Sequence, residues 1–407
     1  MNDYKIIGGG IQGCCIALEL ARCGKKVTLI ERDGKLFNRA SLRNEGKIHL
    51  GLVYMNDPTF ETPALMLRGA LLFRKNLERW IGEKSLNLGL SEPFYYLVAK
   101  DSFLTPAQLE KGYERLQGLF EKWKQAYPDW DYLGQRPEKL FARASKDEVQ
   151  ALFGNDLVQG GFQTAELAVD TDLLRKHLVD AVYHHPNIQV ITESRVNHIG
   201  KEHDEFVLRL ISPNGANTLT AESVINCAWD GKYVLDLQMG LPLPSELLHR
   251  LKYRVIVTLP EELHHRPSAT MVIGRYGDVV NQKNGEAYLS WYPSACIGWS
   301  HEASPPEEWE KAAKGEVETD LALKLGSEFL AEIEKWYPGI SRSTPKIIDA
   351  GPIVAYGKTD VDDAKSTLHD RSGIGFKSLG NYHSIETGKL TTAPMIAVNF
   401  VNSILSR

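Results

Sequence analysis

The stretch that decides the fold is Tyr4-Lys5-Ile6-Ile7-Gly8-Gly9-Gly10-Ile11-Gln12-Gly13, continued by an apolar helical run over 14–23, Gly24, and Lys26-Val27-Thr28-Leu29-Ile30-Glu31. Residues 4–7 read as a short buried strand. Over 14–23, Ala17, Leu20 and Ala21 share one helical face, and Gly24 suits the C-cap. Residues 26–30 form a second strand, so the chain opens as a βαβ unit with parallel strands. Gly8, Gly10 and Gly13 make a GxGxxG pattern. Gly8 allows the tight turn, Gly10 lets the backbone approach a pyrophosphate, and Gly13 lets the helix sit close to the strand. Ile11 and Gln12 open the helix, whose free N–H groups and partial positive charge face that pyrophosphate. Glu31 lies 18 residues beyond Gly13, where a carboxylate accepts the adenosine ribose hydroxyls. It repels a 2′-phosphate, which disfavours NADP although Arg32 is adjacent. The fingerprint alone does not separate FAD from NAD.

The rest of the 407 residues agrees with a globular protein of two or three domains. Hydrophobic residues make up 43% and charged residues 24%, enough for a large core. The formal net charge of −5 offers no basic excess for a phosphate backbone, so no nucleic acid is expected as a main partner. Five cysteines without a CxxC pair make neither a disulfide framework nor a zinc site, and no metal is expected. No run of about 18 apolar residues predicts a membrane span. No basic region followed by an apolar core suggests a leader. The expected location is the cytoplasm, with peripheral membrane contact left open.

Helices are expected over 62–83, 105–127, 170–183, 317–336 and 388–406. Residues 33–53 read as a polar loop and 128–146 as a connector. Strands are expected over 94–99, 188–191 and 223–228, with a hairpin across Pro213-Asn214-Gly215. From 251 to 299 the pattern turns β-rich and aromatic, which predicts an antiparallel sheet. The fold class is therefore α/β: a Rossmann-like nucleotide-binding domain with an interleaved second domain built on an antiparallel β-sheet. The expected division gives 1–60, 150–235 and 345–407 to the first and 61–149 and 236–344 to a substrate or cap domain.

Two further segments bear on the cofactor. Ser41-Leu42-Arg43-Asn44-Glu45-Gly46-Lys47-Ile48-His49-Leu50-Gly51 alternates small, polar and apolar residues, as a loop lying along a cofactor would. Gly388-Lys389-Leu390-Thr391-Thr392 permits close backbone approach and a capped helix start. A helix N-terminus and Lys389 at the pyrimidine edge of a flavin would stabilise its reduced, anionic form. These segments resemble the FAD-dependent D-amino-acid oxidase superfamily, in particular the glycerol-3-phosphate dehydrogenase and L-2-hydroxyglutarate oxidase branches. Ile225-Asn226-Cys227-Ala228-Trp229 is similar to the superfamily's N-[AC]-A-G strand end, with Trp229 where glycine is usual. Val196 matches the position whose main chain meets the adenine. The resemblance covers about half of the chain. It implies FAD held by Gly8, Gly10, Ile11, Gln12, Gly13, Glu31, Arg32, Ser41, Asn44, Gly46, Lys47, Ile48, His49, Val196, Cys227, Ala228, Trp229, Gly388, Lys389, Leu390 and Thr391.

The implied reaction is oxidation of a C–OH or C–N bond in a small polar substrate by hydride transfer to flavin, with O2, a quinone or another carrier as electron acceptor. His49 and then His383 are the candidate proton acceptors, since imidazole suits proton transfer near neutral pH. Arg275 and Arg371, with Arg254 a third, are candidates to hold an anionic substrate. Tyr356 and Tyr382 are lid or pocket candidates. The alternatives are an NAD-dependent dehydrogenase and a catalytically inert FAD-binding protein.

Overall fold

The computed structural model describes residues 3–154, 157–359, 363, 366–367 and 373–406. Among these, a six-stranded sheet runs in the order Gly375–Leu379, Tyr382–Glu386, Ser223–Asn226, Asp3–Ile7, Lys26–Ile30, Ile188–Ile191. Its strands are parallel except at the Gly375–Leu379 edge. The helix Ile11–Arg22 is buried along almost its whole length, with Cys14, Ile16, Leu18 and Leu20 all inside the core. It packs against the sheet and against Thr171–His184 and Ala393–Leu405, which is why its sequence is apolar on several faces. Gly24 ends it at φ +77°, as the C-cap reading requires. Asp170 caps Thr171–His184 by accepting from the Asp172 and Leu173 amides.

The hairpin forms as expected: Glu205–Ser212 pairs antiparallel with Gly215–Ala221 and, on its other side, with Arg195–Glu202. The β-rich region builds a nine-stranded sheet. Its long strand Leu247–Thr258 pairs with Thr344–Tyr356 on one side and with Cys296–Ser300 and Glu286–Trp291 on the other. Not every pair is antiparallel, because Phe94–Ala99 runs parallel to Ser268–Val272. Val158–Thr164 and, but for Thr344 itself, Thr344–Tyr356, placed by the expected division with the nucleotide-binding part, pair within this sheet.

Three local expectations are corrected. The 33–53 loop contains a two-residue strand, Lys47–Ile48, paired antiparallel with Leu167–Ala168. The 128–146 connector contains the strand Phe141–Arg143. The last helix starts at Ala393 rather than Gly388, after a 3-10 turn over Leu390–Thr392. Neither threonine caps it. The Thr392 hydroxyl bonds the Thr387 and Lys389 carbonyls, and Thr391 Oγ1 instead accepts from the His49 amide at 2.9 Å. Among the described residues no helix is long and apolar enough to cross a membrane.

Candidate active site

The carboxyl ends of Asp3–Ile7 and Lys26–Ile30 open into a cleft of about 660 Å³, with Leu247–Thr258 and Glu286–Trp291 on its opposite wall. Ligands of open α/β sheets bind at this edge. At one end the glycine loop is sterically obligatory. Gly8 sits at φ +103°, and a Cβ there would lie 2.5 Å from the Cys227 carbonyl oxygen. A Cβ on Gly13 would meet the Gly8 oxygen at 1.9 Å, so Gly13 serves helix–strand contact and lies behind the cleft wall. Gly10 stands at the N-cap of Ile11–Arg22 with no side-chain cap, leaving helix-end N–H groups for a ligand. The Ile11 amide donates to Ser41 Oγ at 2.9 Å.

Glu31 lines the cleft, but it also braces the loop. Its Oε2 accepts the Gly9 amide at 2.6 Å and its Oε1 the Asp33 amide at 2.8 Å. Burial raises its pKa above the ordinary carboxylate value, and the two amides oppose that rise. Arg32 forms ion pairs with Asp230 at 3.1 Å and Glu310 at 3.4 Å. Gln12 Oε1 is buried and lacks a hydrogen-bond partner at the cleft wall, an acceptor a bound nucleotide could satisfy. Val196, Cys227, Ala228 and Trp229 complete this end. Trp229 has φ +50°, so the backbone there does adopt a glycine-like conformation, and its Nε1 donates to the Pro352 carbonyl at 2.9 Å. An uncapped helix start, a glycine cradle, an acid at the next strand end and an unpaired buried acceptor together fit a dinucleotide.

The 40–49 segment divides into wall and scaffold. Ser41, Asn44, Lys47 and His49 line the cleft. Asn44 also organises the turn: its Nδ2 donates to the Ala40 and Ser41 carbonyls and its Oδ1 accepts the Gly46 amide. Gly46 and Ile48 stand behind the wall. A Cβ on Gly46, at φ +71°, would strike the Val169 oxygen at 2.1 Å, and the Ile48 carbonyl accepts from the Tyr132 hydroxyl at 2.6 Å. Gly388, Lys389 and Leu390 line the cleft, whereas Thr391 supports His49 from behind.

At the other end, charges gather in a partly apolar enclosure. Glu45, Lys47, His49, Lys252, Tyr288, Tyr292 and Lys389 line it. Lys47 Nζ is ion-paired with buried Asp278. Lys252 Nζ lies 4.0 Å from Asp278, and sits 4.5 Å from the Tyr292 ring centre and 5.9 Å from that of Tyr288. Burial would strip the Lys252 charge, but Tyr288, Tyr292, Glu45 and Asp278 overcome it and hold the ammonium. Burial likewise opposes ionisation of Glu45, yet Lys252, Lys389, Lys47 and His49 keep its carboxyl well below the usual range. His49 Nδ1 lies 3.2 Å from Glu166 Oε1, and its Nε2 is 3.9 Å from Glu45 Oε1.

The other candidates lie elsewhere. His383 is buried in the six-stranded sheet, bonded through Nδ1 to Ser378 Oγ at 2.8 Å and edge-on to Phe400. It is a core histidine outside the cleft wall. Arg275 is exposed and off the wall, because the strand Ser268–Val272 ends before it. Arg254 is committed to Asp349 through two bonds of 2.6 and 3.1 Å and to the Leu42 carbonyl. Tyr356 and Tyr382 bond Glu386 and Asp236 behind the site. Arg371 lies outside the described residues. A further cation that faces the cleft, Lys252, was missed. Its signal was a lysine within a strand otherwise reading as core, on the same side as Arg250 and Arg254. Glu166 was missed as well: one acid between apolar strands.

The chain is similar to known proteins over most of its length. The profile of the family described as FAD dependent oxidoreductase matches residues 3–380. The glycerol 3-phosphate oxidase of Mycoplasma pneumoniae is 25% identical over 273 residues, covering 67% of this chain and 65% of that protein, just under two thirds of its length. The crystal structure of glycine oxidase from Geobacillus kaustophilus superposes with a TM-score of 0.70 at 14% identity, over 100% of this chain and 96% of that one. L-alpha-glycerophosphate oxidase from Mycoplasma pneumoniae, with FAD bound, gives a TM-score of 0.66 at 19% identity, over 98% and 94%.

Proposed function

Because the chain belongs to the FAD-dependent oxidoreductase family, we propose that it oxidises a C–OH or C–N bond of a small substrate carrying a carboxylate or phosphate. The observation that carries this reading is the convergence of Lys47, Lys252 and Lys389 with His49 on one end of the cleft, three ammonium groups on a wall that presents one carboxylate, Glu45, while the carboxylates of Asp278 and Glu166 are buried behind it. That surplus favours an anionic substrate held in a low-dielectric enclosure. The residues that would hold FAD are the Gly8–Gly10 loop with Ile11 and Gln12, Glu31, Ser41, Val196, Trp229 and the 388–390 segment. FAD, when bound, would supply the redox chemistry as acceptor of a hydride from the substrate carbon. Lys252, flanked by the Tyr288 and Tyr292 rings, anchors the anionic group and fixes which carbon faces the cofactor. His49 accepts the proton of the substrate hydroxyl or ammonium at Nε2. In this reading the six-stranded sheet carries the cofactor and the nine-stranded sheet supplies the substrate wall.

The family assignment displaces the NAD-dependent alternative. The inert-binder alternative is decided by flavin reduction. The FAD-loaded protein is mixed anaerobically with glycerol 3-phosphate, glycine, sarcosine and small 2-hydroxy acids, and separately with glycerol and methylamine, while the visible flavin absorbance is followed. Bleaching by an anionic member of the set supports the reading. Reduction by neutral polyols or amines alone contradicts it.

A further inference from the structure

We propose that Glu166 is a positioning residue for His49, holding the imidazole by Nδ1 in the one neutral tautomer whose Nε2 is bare toward the cleft; this rests on the reading of His49 as proton acceptor. Glu166 is fully buried between Val158–Thr164 and Leu167–Ala168. Its carboxylate bonds there as an acceptor. Its Oε2 takes the Leu50 amide at 2.8 Å, and its Oε1 takes the Tyr96 hydroxyl and faces His49 Nδ1 at 3.2 Å. An ionised carboxylate has no proton to give, so in the neutral ring Nδ1 must carry the hydrogen and Nε2 is left as a lone-pair acceptor.

The groups around the ring are consistent with that assignment. Behind it, burial keeps the phenols of Tyr96, Tyr113 and Tyr132 protonated, so Tyr96 can only donate to Glu166. Burial opposes the Glu166 charge too, but His49, Lys47 and the Tyr96 hydroxyl outweigh it. In front, Glu45 is 3.9 Å from Nε2, too far to occupy it by a hydrogen bond, and Lys252 and Lys389 line the same enclosure and act on Glu45. The ring itself is held by its own amide on Thr391 Oγ1 and by edge-on packing against Tyr54 at 5.4 Å. A carboxylate at Nδ1 therefore sets the protonation pattern, whereas the ring's place is held by other contacts too.

The test reads the tautomer directly. The FAD-loaded protein is labelled with 15N-histidine, and the His49 signals are identified by their loss in His49→Asn, at a pH where the ring is neutral. The wild type should show the Nδ1–H form. Glu166→Gln has nearly the same shape. Its amide oxygen stays on the Leu50 N–H, its NH2 faces Nδ1, and the ring should switch to the Nε2–H form. Glu166→Asp retains an acceptor-only carboxylate and should keep Nδ1–H. With glycerol 3-phosphate and glycine as reductants, flavin reduction in Glu166→Gln should slow by about 100-fold or more, with partial recovery in Glu166→Asp. An Nε2–H wild type overturns the proposal without any variant having to fold, and so does a Glu166→Gln protein that keeps Nδ1–H. Unchanged flavin reduction in His49→Asn would instead overturn the base assignment, which the tautomer measurement does not use.

Discussion

Replacing Glu31 by alanine should do two separable things, because the carboxylate both faces the cleft and braces the glycine loop. Toward the cofactor, it removes a charged acceptor of the ribose hydroxyls, a contact of about 1.5–3 kcal/mol. That corresponds to FAD binding weakened by roughly 10- to 150-fold. Within the protein, the Gly9 and Asp33 amides lose acceptors at 2.6 and 2.8 Å. Each costs about 1–3 kcal/mol if it stays dry, and less where cleft water reaches it. The apoprotein should therefore melt at a lower temperature even without cofactor. Glu31→Gln keeps one of the two amide contacts and should fall between wild type and alanine on both readouts. Titration of apoprotein with FAD, followed by flavin fluorescence, gives the affinity, and calorimetry of the apoprotein gives the stability loss. An alanine variant that melts lower but binds FAD with wild-type affinity would refute the ribose contact and leave Glu31 as a loop brace alone.

Other consequences are as specific. Lys252→Met removes the anion anchor, so the substrate KM should rise by about 10- to 150-fold, from a charge-assisted contact of ~1.5–3 kcal/mol, while FAD stays bound; an unchanged KM in steady-state assays would show that the anion docks elsewhere. Glu310 joins Arg39 at 2.6 Å and Arg32 at 3.4 Å across the nucleotide end of the cleft. A partly exposed clasp of this kind contributes about 1 kcal/mol or less, so Glu310→Gln should release FAD up to ~5-fold faster, and added salt should abolish the difference in stopped-flow release traces. Glu19 is bonded to Arg22, Arg79 and the Trp80 indole, which outweigh its burial and draw its pKa down to about 2. A carboxyl depressed in the folded state stabilises it above the unfolded value near 4.5 and loses that contribution as pH falls toward 2. Because both arginines are substantially exposed, screening reduces the contribution to about 1–2 kcal/mol. Glu19→Gln should therefore melt lower than wild type at pH 7 and approach it at low pH; a gap that is constant with pH would contradict the assignment.

What the sequence made legible was local. The βαβ opening depends on φ > 0 at Gly8 and on the absence of a Cβ at Gly13, and both are constraints of neighbouring residues. The strand end at Glu31, the Gly24 C-cap and the Asp170 N-cap are of the same kind. The reactive end is not local. Lys47 meets Asp278 across 231 positions, and His49 meets Glu166 across 117. Such partners come together only when Lys47–Ile48 pairs with Leu167–Ala168 and the nine-stranded sheet closes over the cleft. Arg254 is taken up elsewhere for a related reason. A guanidinium on a buried strand finds a structural carboxylate first, as Arg254 finds Asp349, whereas Lys252 is left facing the enclosure. His383, the second histidine candidate, sits on a strand interior to the six-stranded sheet, so its imidazole serves packing.

The most direct test of an anion-oxidising flavoenzyme is anaerobic reduction of the bound flavin by glycerol 3-phosphate, glycine, sarcosine and 2-hydroxy acids, in wild type and Lys252→Met side by side. The account predicts that at least one anionic substrate bleaches the wild-type flavin. It predicts that the same substrate reduces the Lys252→Met protein only at a concentration about 10-fold or more higher. Bleaching that is equal in both proteins, or a wild-type flavin that dithionite reduces but no anionic substrate does, would contradict it.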